Sequence, residues 1–293
     1  MMFLKSVLAL AVASVATVQA APVNEERAAP SPVPSPLSAA PAWQARHGLT
    51  SKKYQSTFDD LLSQGYRLTY ASGYTDNDSP RYAGIWKKVS TTAWQATHGQ
   101  SGAQFDKTFY KLRDQGYHPV VLNGYTVNGD DKYVSIWDKS KTGPWEARRE
   151  MSQAGLQKVF NELKSKGYRM VHVSGYAVGK EARFAGIWEK RESVAWEVRV
   201  GLTSSQYQTK TEEMKAKGFR PVQVNGYAVN GKTYYAAIWE KDNSVAWQAR
   251  HGLTSKRYQE EFDKLNKQGY TPTVVSGYPS GDSVRYAAIW EKK

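Results

Sequence analysis

Residues 83–99 read AGIWKKVSTTAWQATHG and place Trp86 and Trp94 eight positions apart in a charged, threonine-rich segment. An indole carries a large apolar surface, so two of them in a polar segment need something to pack against. Taken alone, the pair is typical either of a binding site or of a structural contact. The rest of the chain favours structure, because both tryptophans belong to series that recur every 51 residues.

The ten tryptophans of the chain form two series, each with a constant spacing of 51 residues. The first series is Trp43, Trp94, Trp145, Trp196 and Trp247, and the second is Trp86, Trp137, Trp188, Trp239 and Trp290. The spacing predicts five units without insertion or deletion between these landmarks, namely 42–92, 93–143, 144–194, 195–245 and 246–293. A period near 50 residues is typical of solenoids, propeller-like rings and arrays, whose units bury their apolar faces against one another.

Each unit contains the signals of one helix followed by a β-hairpin. In the first unit, Thr50 can cap a helix that carries an apolar stripe, and Gly65 can end it after ~13–15 residues. A stretch rich in β-branched and aromatic residues follows, and a turn leads into a second such stretch, RYAGIW at 81–86. The segment AWQARHGL at 42–49 predicts a further short strand before the helix. We therefore predict a β-α-β-β unit.

The predicted fold class is an α+β repeat protein of five such units, arranged as a closed, propeller-like ring or as an open superhelix. Open solenoids usually have atypical end units. Here the first and last units are the most alike, with AWQARHGLTSKKYQ at 42–55 against AWQARHGLTSKRYQ at 246–259. This similarity favours closure. The fourth unit is the weakest, because Thr211 replaces a phenylalanine on the helical stripe.

The N-terminus predicts export from the cell. Residues 1–20 have one lysine, a short apolar run and a small-residue ending, the layout of a signal peptide cleaved after Ala20. Residues 21–41 are rich in Pro, Ser and Ala and are interpreted as a linker. The chain contains no cysteine, so an exported protein of this sequence has to be held together by packing. We expect a secreted, extracellular protein.

The formal net charge of +13 comes from dispersed Lys and Arg residues rather than from basic runs. Such a balance is compatible with several acidic partners and by itself selects none of them. For an extracellular chain we expect neither a nucleic-acid partner nor a membrane partner. The partner class that remains is an extracellular protein or a polysaccharide.

Residues that recur in all units are interpreted as contacts between units, so recognition is expected at positions that change. One position of the strand after the helix is occupied by Tyr70, Val121, His172, Gln223 and Val274. It alternates with a small polar position occupied by Ser72, Asn123, Ser174, Asn225 and Ser276. We predict that these ten residues form a ligand-binding sheet surface. The alternative is that Ser and Asn hold the backbone at the strand end.

Four arginines lie three residues after a tryptophan and are expected to stack on the indole, namely Arg46, Arg148, Arg199 and Arg250. No metal-ligand or nucleophile motif is found, so we expect no metal, no other cofactor and no catalytic residue. A pair of carboxylates with a catalytic separation stays open, because sequence does not show their distance. Asn77 lies in the one N-glycosylation triplet, on a predicted hairpin tip.

The pattern AWQARHGLTS-x-x-YQ-x-x-F-x-x-L-x-x-QGY … SGY … RYAAIWEK resembles the tandem repeat of the non-catalytic N-terminal half of secreted fungal polyglycine hydrolases. Related repeats accompany β-lactamase-like serine hydrolase domains in bacteria. The resemblance covers residues 42–293 and implies an accessory role, since catalysis in that family belongs to a separate domain with a Ser-x-x-Lys nucleophile. No Ser-x-x-Lys occurs in this sequence.

The function expected from the sequence is therefore a secreted, non-catalytic recognition module for an extracellular protein or a cell-wall polysaccharide. Two alternatives remain at this point. One is a structural scaffold that oligomerises through its ends, and the other is a hydrolase accessory with weak activity.

Overall fold

The computed structural model describes residues 42–89, 92–191 and 194–292. The predicted signal peptide, its cleavage after Ala20 and the predicted linker lie outside the described residues. Within them, no helix is long and apolar enough to cross a membrane.

Each repeat contains one helix of 13 residues, as the capping and periodicity signals predict. The helices are α1 (Ser51–Ser63), α2 (Gly102–Asp114), α3 (Gln153–Ser165), α4 (Ser204–Ala216) and α5 (Ser255–Lys267). In α1 the side chain of Thr50 accepts a hydrogen bond from the Lys53 amide, which satisfies one of the free donors of the first turn. Past the end of α1, Gly65 has a φ of 80°, the left-handed conformation that stops a helix.

Three strands accompany each helix. The strands before the helices are β1 (Trp43–Thr50), β4 (Trp94–Gln100), β7 (Trp145–Met151), β10 (Trp196–Leu202) and β13 (Ala246–Leu253). The strands after the helices are β2 (Arg67–Asp76), β5 (His118–Val127), β8 (Arg169–Val178), β11 (Phe219–Val229) and β14 (Thr271–Ser280). The last strands are β3 (Ser79–Lys87), β6 (Asp130–Asp138), β9 (Glu181–Glu189), β12 (Lys232–Lys241) and β15 (Ser283–Lys292). The predicted β-α-β-β unit is thus confirmed, including its first strand.

Within a repeat the three strands form an antiparallel sheet in the order first, third, second, as in β1-β3-β2. The third strand is central and carries Trp86 in the first repeat, which is 1% exposed. The ring of Tyr54 on α1 lies 6.1 Å from this indole, so the second tryptophan series contributes to the core between each helix and its own sheet.

The five repeats form a closed ring. The first repeat contacts the fifth through several side chains: Ser72 Oγ donates to the Val275 carbonyl at 2.8 Å, and the hydroxyls of Tyr74 and Tyr286 are 2.9 Å apart. Side-chain hydrogen bonds also join every other pair of successive repeats, but the tyrosine pair is missing between the third and fourth, where Phe184 takes the place of Tyr286. Of the two predicted arrangements, the structure therefore has the propeller-like ring and not the open superhelix.

We call the contact between two successive repeats a seam. At four seams the first tryptophan of one repeat packs on a helix phenylalanine of the repeat before it. The ring centroid distances are 5.7 Å for Trp94–Phe58, 5.9 Å for Trp145–Phe109, 5.4 Å for Trp196–Phe160 and 5.5 Å for Trp43–Phe262. At the seam between repeats four and five the phenylalanine is missing, because Thr211 occupies its position. There Lys215 lies over Trp247, with Nζ 5.7 Å from the ring centroid.

Three seams also contain an ion pair between an arginine near the start of a second strand and an acidic residue of the next repeat. The pairs are Arg67–Asp138 at 2.6 Å, Arg169–Glu240 at 3.0 Å, and Arg220–Glu291. Their side chains are largely buried, so the geometry of each pair is fixed by the packing around it. Removal of Asp138 or Glu240 would leave a buried arginine without the carboxylate that it is paired with, whereas Arg220 also contacts Asp242 at 2.8 Å.

Candidate functional site

The variable strand position predicted to bind a ligand lies at the centre of the ring. We call its five side chains the axial plug: Tyr70, Val121, His172, Gln223 and Val274. They are between 3% and 6% exposed. One comes from each repeat, so two valines, a tyrosine, a histidine and a glutamine together fill the space at the axis.

A hydrogen bond inside the axial plug connects two repeats that are not neighbours. Gln223 Nε2 donates to the Tyr70 hydroxyl at 3.0 Å and lies 3.3 Å from His172 Nε2. The first and fourth repeats do not share a seam, so only side chains at the axis can join them. Burial lowers the pKa of His172 to about 3, so the imidazole is neutral at physiological pH.

The small polar position forms a second ring around the axis: Ser72, Asn123, Ser174, Asn225 and Ser276. At every seam a glycine amide of one repeat donates to the Ser or Asn side chain of the next. Gly73 donates to Asn123 Oδ1 at 2.8 Å, and Gly277 donates to Ser72 Oγ at 3.5 Å, which closes the circle. These bonds satisfy amides on the free edges of the inner strands, where an unpaired buried donor would be costly.

The ligand-binding surface predicted at these ten positions is therefore corrected, although one of them, Asn225, also lines the axial pocket described below. None of the ten side chains is more than 6% exposed, and their contacts are with other repeats. The alternative interpretation, in which Ser and Asn hold the backbone, describes the second ring. Alternation along a single strand could not show this, because the burial comes from the neighbouring repeats.

The second Gly-Tyr pair of each repeat also acts across a seam. The tyrosine ring of one repeat lies directly on the glycine of the repeat before it, where any side chain would collide. A Cβ at Gly226 would be 2.2 Å from Tyr278 Cδ1, and one at Gly277 would be 2.3 Å from Tyr74 Cε1. At four seams the tyrosine hydroxyl then pairs with a tyrosine of the preceding repeat, as in Tyr278–Tyr235 at 2.8 Å. Tyr227 faces Phe184 instead, and its hydroxyl accepts from the Gly201 amide.

On one side of this layer the ring opens into a pocket of about 390 Å³, which we call the axial pocket. All five repeats contribute to its wall. The second Gly-Tyr pairs contribute Gly73, Tyr74, Gly124, Tyr125, Gly175, Tyr176, Gly226, Tyr227, Gly277 and Tyr278. The residues that follow these pairs are Thr75, Thr126, Ala177, Ala228 and Pro279, and the rim includes Asn77, Asp78, Gly231, Gly281 and Asp282.

The Gly-Tyr pairs in the wall of the axial pocket recur in every repeat, whereas the residue that directly follows each pair differs between repeats. Thr126 in the second repeat donates its hydroxyl to the Ala177 carbonyl at 2.6 Å and accepts from the Ala177 amide at 3.2 Å. In the third repeat the position of Thr126 is taken by Ala177, which has no hydroxyl to offer to Ala228 of the fourth. The main chain at Ala228 thus lacks the partner that Ala177 has.

The charged residues among those lining the axial pocket are Asp78 and Asp282, which belong to the first and fifth repeats. Both lie on exposed hairpin tips next to each other in the ring. The mouth is therefore locally acidic in a chain with a formal net charge of +13. Asn77, the predicted glycosylation residue, is also exposed at this rim.

Hairpin-tip residues and the position of Ala228 were not among the predicted binding residues. The signal that identifies them is their variation at turns that otherwise recur, which is visible in the sequence as ND, NG, GK, NG and GD at the five tips. The turns themselves were predicted, but their convergence around one axis depends on ring closure.

The expected stacking of arginines on the first tryptophan series is wrong. Arg46 donates to the Ala45 carbonyl at 2.8 Å, and Arg148 donates to the Ala147 carbonyl at 2.9 Å. The cation over Trp94 is instead Arg67, with Cζ 5.7 Å from the ring centroid. The described residues contain no group of three or more His, Cys, Asp or Glu side chains that could hold a metal ion.

These features define a class of protein: a closed ring of five β-α-β-β repeats with a plugged axis and a pocket at one end of it. The chain belongs to the polyglycine hydrolase-like structural-repeat family. The family's repeat matches it five times in tandem, at residues 40–89, 91–140, 142–191, 193–242 and 244–293. The resemblance seen in the tryptophan, Gly-Tyr and Ile-Trp positions is thereby confirmed.

Proposed function

We propose that the chain is a non-catalytic recognition module that acts outside the cell and binds an extracellular protein or a cell-wall polysaccharide in the axial pocket. The observation that carries the proposal is the position of this pocket on the ring axis, where all five repeats contribute to one concave surface. Concave sites with polar groups at fixed positions are typical of ligand binding.

The construction of the pocket supports this assignment. Its floor consists of glycines and tyrosines that are fixed by the seams, so binding would not have to order them. Its rim carries the residues that differ between repeats, including Asp78 and Asp282. A constant floor with a variable rim is suited to recognition, because the rim can change while the ring stays intact.

The absence of catalysis is part of the proposal. The support for it is the repetition itself: all five repeats have similar polar side chains, and at every seam a Ser or Asn of this set bonds to the neighbouring repeat. The scaffold alternative needs free ends for assembly, and ring closure covers the faces that those ends would use. Export is supported by the layout of residues 1–20.

The test is to fill the pocket. Ala228→Trp places an indole in the axial pocket, and Ala216→Trp places the same side chain at the exposed end of α4 as a matched control. Both proteins and the native protein are applied to a carbohydrate array, to cell-wall pull-downs and to extracellular protein extracts. We expect at least one ligand that the native protein and Ala216→Trp bind and that Ala228→Trp, at unchanged thermal stability, does not bind.

Equal binding by all three proteins would refute the axial pocket as the binding site. A mass by light scattering that rises with concentration in the native protein would favour the scaffold instead. Turnover of a polyglycine-linked or glycan substrate by the native protein would contradict the non-catalytic assignment. A mature chain that starts at Ala21, measured by intact mass after secretion, is the expected result for export.

A further inference from the structure

A groove of about 1,070 Å³ lies at the seam between the second and third repeats, between α2 and β7. We call it the seam groove, and the residues that matter in it are Phe109, Tyr110, Arg113, Trp145, Glu146 and Arg148. It shares no lining residue with the axial pocket. The two features are therefore separate surfaces of the ring.

Tyr110 distinguishes this seam from the others. Its side chain is 56% exposed, an unusual state for a large aromatic residue in a chain that buries most of its rings. The equivalent helix position in the other repeats is polar: Asp59, Asn161, Glu212 and Asp263. The repeat architecture thus does not require an aromatic residue here, and burial does not explain it.

The ring of Tyr110 is nevertheless held in place. The guanidinium of Arg113 lies over it, with Cζ 5.0 Å from the ring centroid, and Phe109 meets it edge to face at 5.5 Å. Phe109 in turn packs on Trp145 at 5.9 Å across the seam. Three aromatic residues therefore form a connected wall whose outermost member is accessible and already positioned.

The polar groups of the seam groove occur as neutralised pairs of donors and acceptors. On β7, Arg148 Nη1 lies 2.6 Å from Glu146 Oε2, and on α2, Arg113 Nη2 lies 2.8 Å from Asp114 Oδ1. Arg149, also in the lining, is paired with Asp106 at 2.5 Å. Arg149 also contacts Glu150 at 2.8 Å. The lining thus has three arginines, Arg113, Arg148 and Arg149, and three carboxylates, Asp106, Glu146 and Glu150, so the groove offers an acidic or basic ligand little net attraction. It does offer donors and acceptors side by side, the pattern that vicinal hydroxyl groups can satisfy.

We propose that the seam groove binds a neutral oligosaccharide chain. The apolar face of one pyranose ring lies on Tyr110, and two neighbouring hydroxyls bond to Glu146 and Arg148. A sugar combines C–H faces with dense hydroxyls and carries no charge, so it matches an aromatic platform beside paired charges. The proposal goes beyond the axial pocket and does not depend on what that pocket binds.

The test uses the full protein with neutral hexasaccharides of glucose and of N-acetylglucosamine as probes. Binding is measured by calorimetry and by the change in tryptophan fluorescence, to which Trp145 in the groove contributes as one of ten tryptophans. Two variants remove the proposed contacts, Tyr110→Asn and Arg148→Thr. Asparagine occurs at the position equivalent to Tyr110 in the third repeat, as Asn161, and threonine occurs at the position equivalent to Arg148 in the second repeat, as Thr97. Because the repeat accepts both residues at these positions, we expect both variants to fold. We expect each to weaken binding at least about tenfold, whereas Asn161→Ala leaves it unchanged.

The outcomes separate the possible occupants. No binding of either hexasaccharide at millimolar concentration, or equal binding by the native protein and Tyr110→Asn, overturns the proposal. So does stronger binding of hexagalacturonate or of a glycine-rich peptide than of the neutral sugars. A dimer that Tyr110→Asn dissociates would assign the groove to a second copy of the chain. Loss of sugar binding on Ala228→Trp would move the sugar to the axial pocket and overturn the seam groove as its site.

Discussion

Gly226 shows how tightly a single position can be constrained by the neighbouring repeat. Because a Cβ there would lie 2.2 Å from Tyr278 Cδ1, Gly226→Ala has to displace a tyrosine that is 1% exposed and bonded to Tyr235. We expect the free energy of unfolding to fall by about 2–3 kcal/mol, the usual cost of overpacking a core. Chemical denaturation followed by tryptophan fluorescence measures the change.

Gly155→Ala is the matched control for this prediction. Gly155 lies in the first turn of α3, and its added Cβ would meet Ser152 Oγ at 3.3 Å and Met151 Cβ at 3.9 Å. Alanine favours a helix over glycine by up to about 1 kcal/mol, so this variant is expected to be as stable as the native protein or slightly more stable. If both variants lost the same stability, the seam contact would not be the cause.

The buried imidazole of His172 predicts a pH dependence of stability. Its pKa is lowered by burial to about 3, against a usual value of 6.5 that the unfolded chain recovers. Below pH 6.5 the imidazole binds a proton in the unfolded state but not in the native state. The contribution of His172 to the free energy of unfolding is therefore fully present above pH 6.5 and is lost as the pH falls towards 3. The expected loss is on the order of 4 kcal/mol.

His172→Gln isolates this contribution, since glutamine already occupies the equivalent position as Gln223 and does not titrate. The pKa values of His47, His98 and His251 are also lowered by burial, but these residues are the same in both proteins. Urea titrations at several pH values between 7 and 4 compare the two. Parallel profiles would show that the native axial plug tolerates the charged imidazole.

At the scale of single elements, helix α4 is the weak point of the ring. Thr211 leaves Trp247 without the phenylalanine that the other four seam tryptophans contact, and Thr211 itself is 8% exposed. Thr211→Phe should restore the aromatic pair and raise the free energy of unfolding by about 1 kcal/mol. Thermal unfolding by circular dichroism measures the effect.

Thr211→Val controls for the loss of the hydroxyl without adding a ring. We expect Thr211→Phe to unfold at a higher temperature than Thr211→Val. If the valine variant were the more stable, the space beside Trp247 would be too small for the ring, and the fourth repeat would have adapted to threonine by repacking.

The helices and hairpins could be predicted from the sequence because their signals are local. Thr50 caps its own helix, Gly65 ends it, and the turn residues lie between the strands they connect. The roles of Ser72 and Tyr70 could not be predicted in the same way. Their partners, such as Val275 and Gln223, are distant in sequence, and they become neighbours only when the ring closes.

The candidate site also divides into features with local signals and features that depend on ring closure. The sequence shows that the hairpin tips vary, but no local signal indicates that Asp78 and Asp282 lie at the rim of the same pocket. The spacing of the tryptophans predicted contacts between repeats, and for the first series the structure places these contacts against the preceding helix. The repeat pattern therefore identified the residues that pack between repeats more readily than the exposed residues that line the axial pocket.

At the scale of the whole molecule, closure predicts that the ring can be opened at a different seam. Successive repeats are connected by four residues. Between the second and third repeats, for example, residues 140–143 connect Lys139, which is equivalent to Lys292, with Pro144, which is equivalent to Ala42. A four-residue Ser-Gly linker from Lys292 to Ala42 can span only about 18 Å, which is enough in a ring and too short for the ends of an open superhelix.

The experiment is a circular permutant that begins at the exposed Lys141, ends at Ser140 and carries this linker in place of the native termini. Its control is residues 42–292 with the same four residues appended. Because every repeat keeps both seams, we expect a monomer by light scattering, with an unfolding temperature within a few degrees of the control. A permutant that is unfolded, or that forms dimers by exchanging repeats while the control stays monomeric, would contradict closure. The seam between the fifth and first repeats has the side-chain hydrogen bonds, the tyrosine pair and the tryptophan–phenylalanine contact that most other seams have, although not the ion pair that three of them have. The position of the chain break should therefore matter little to the stability of the ring.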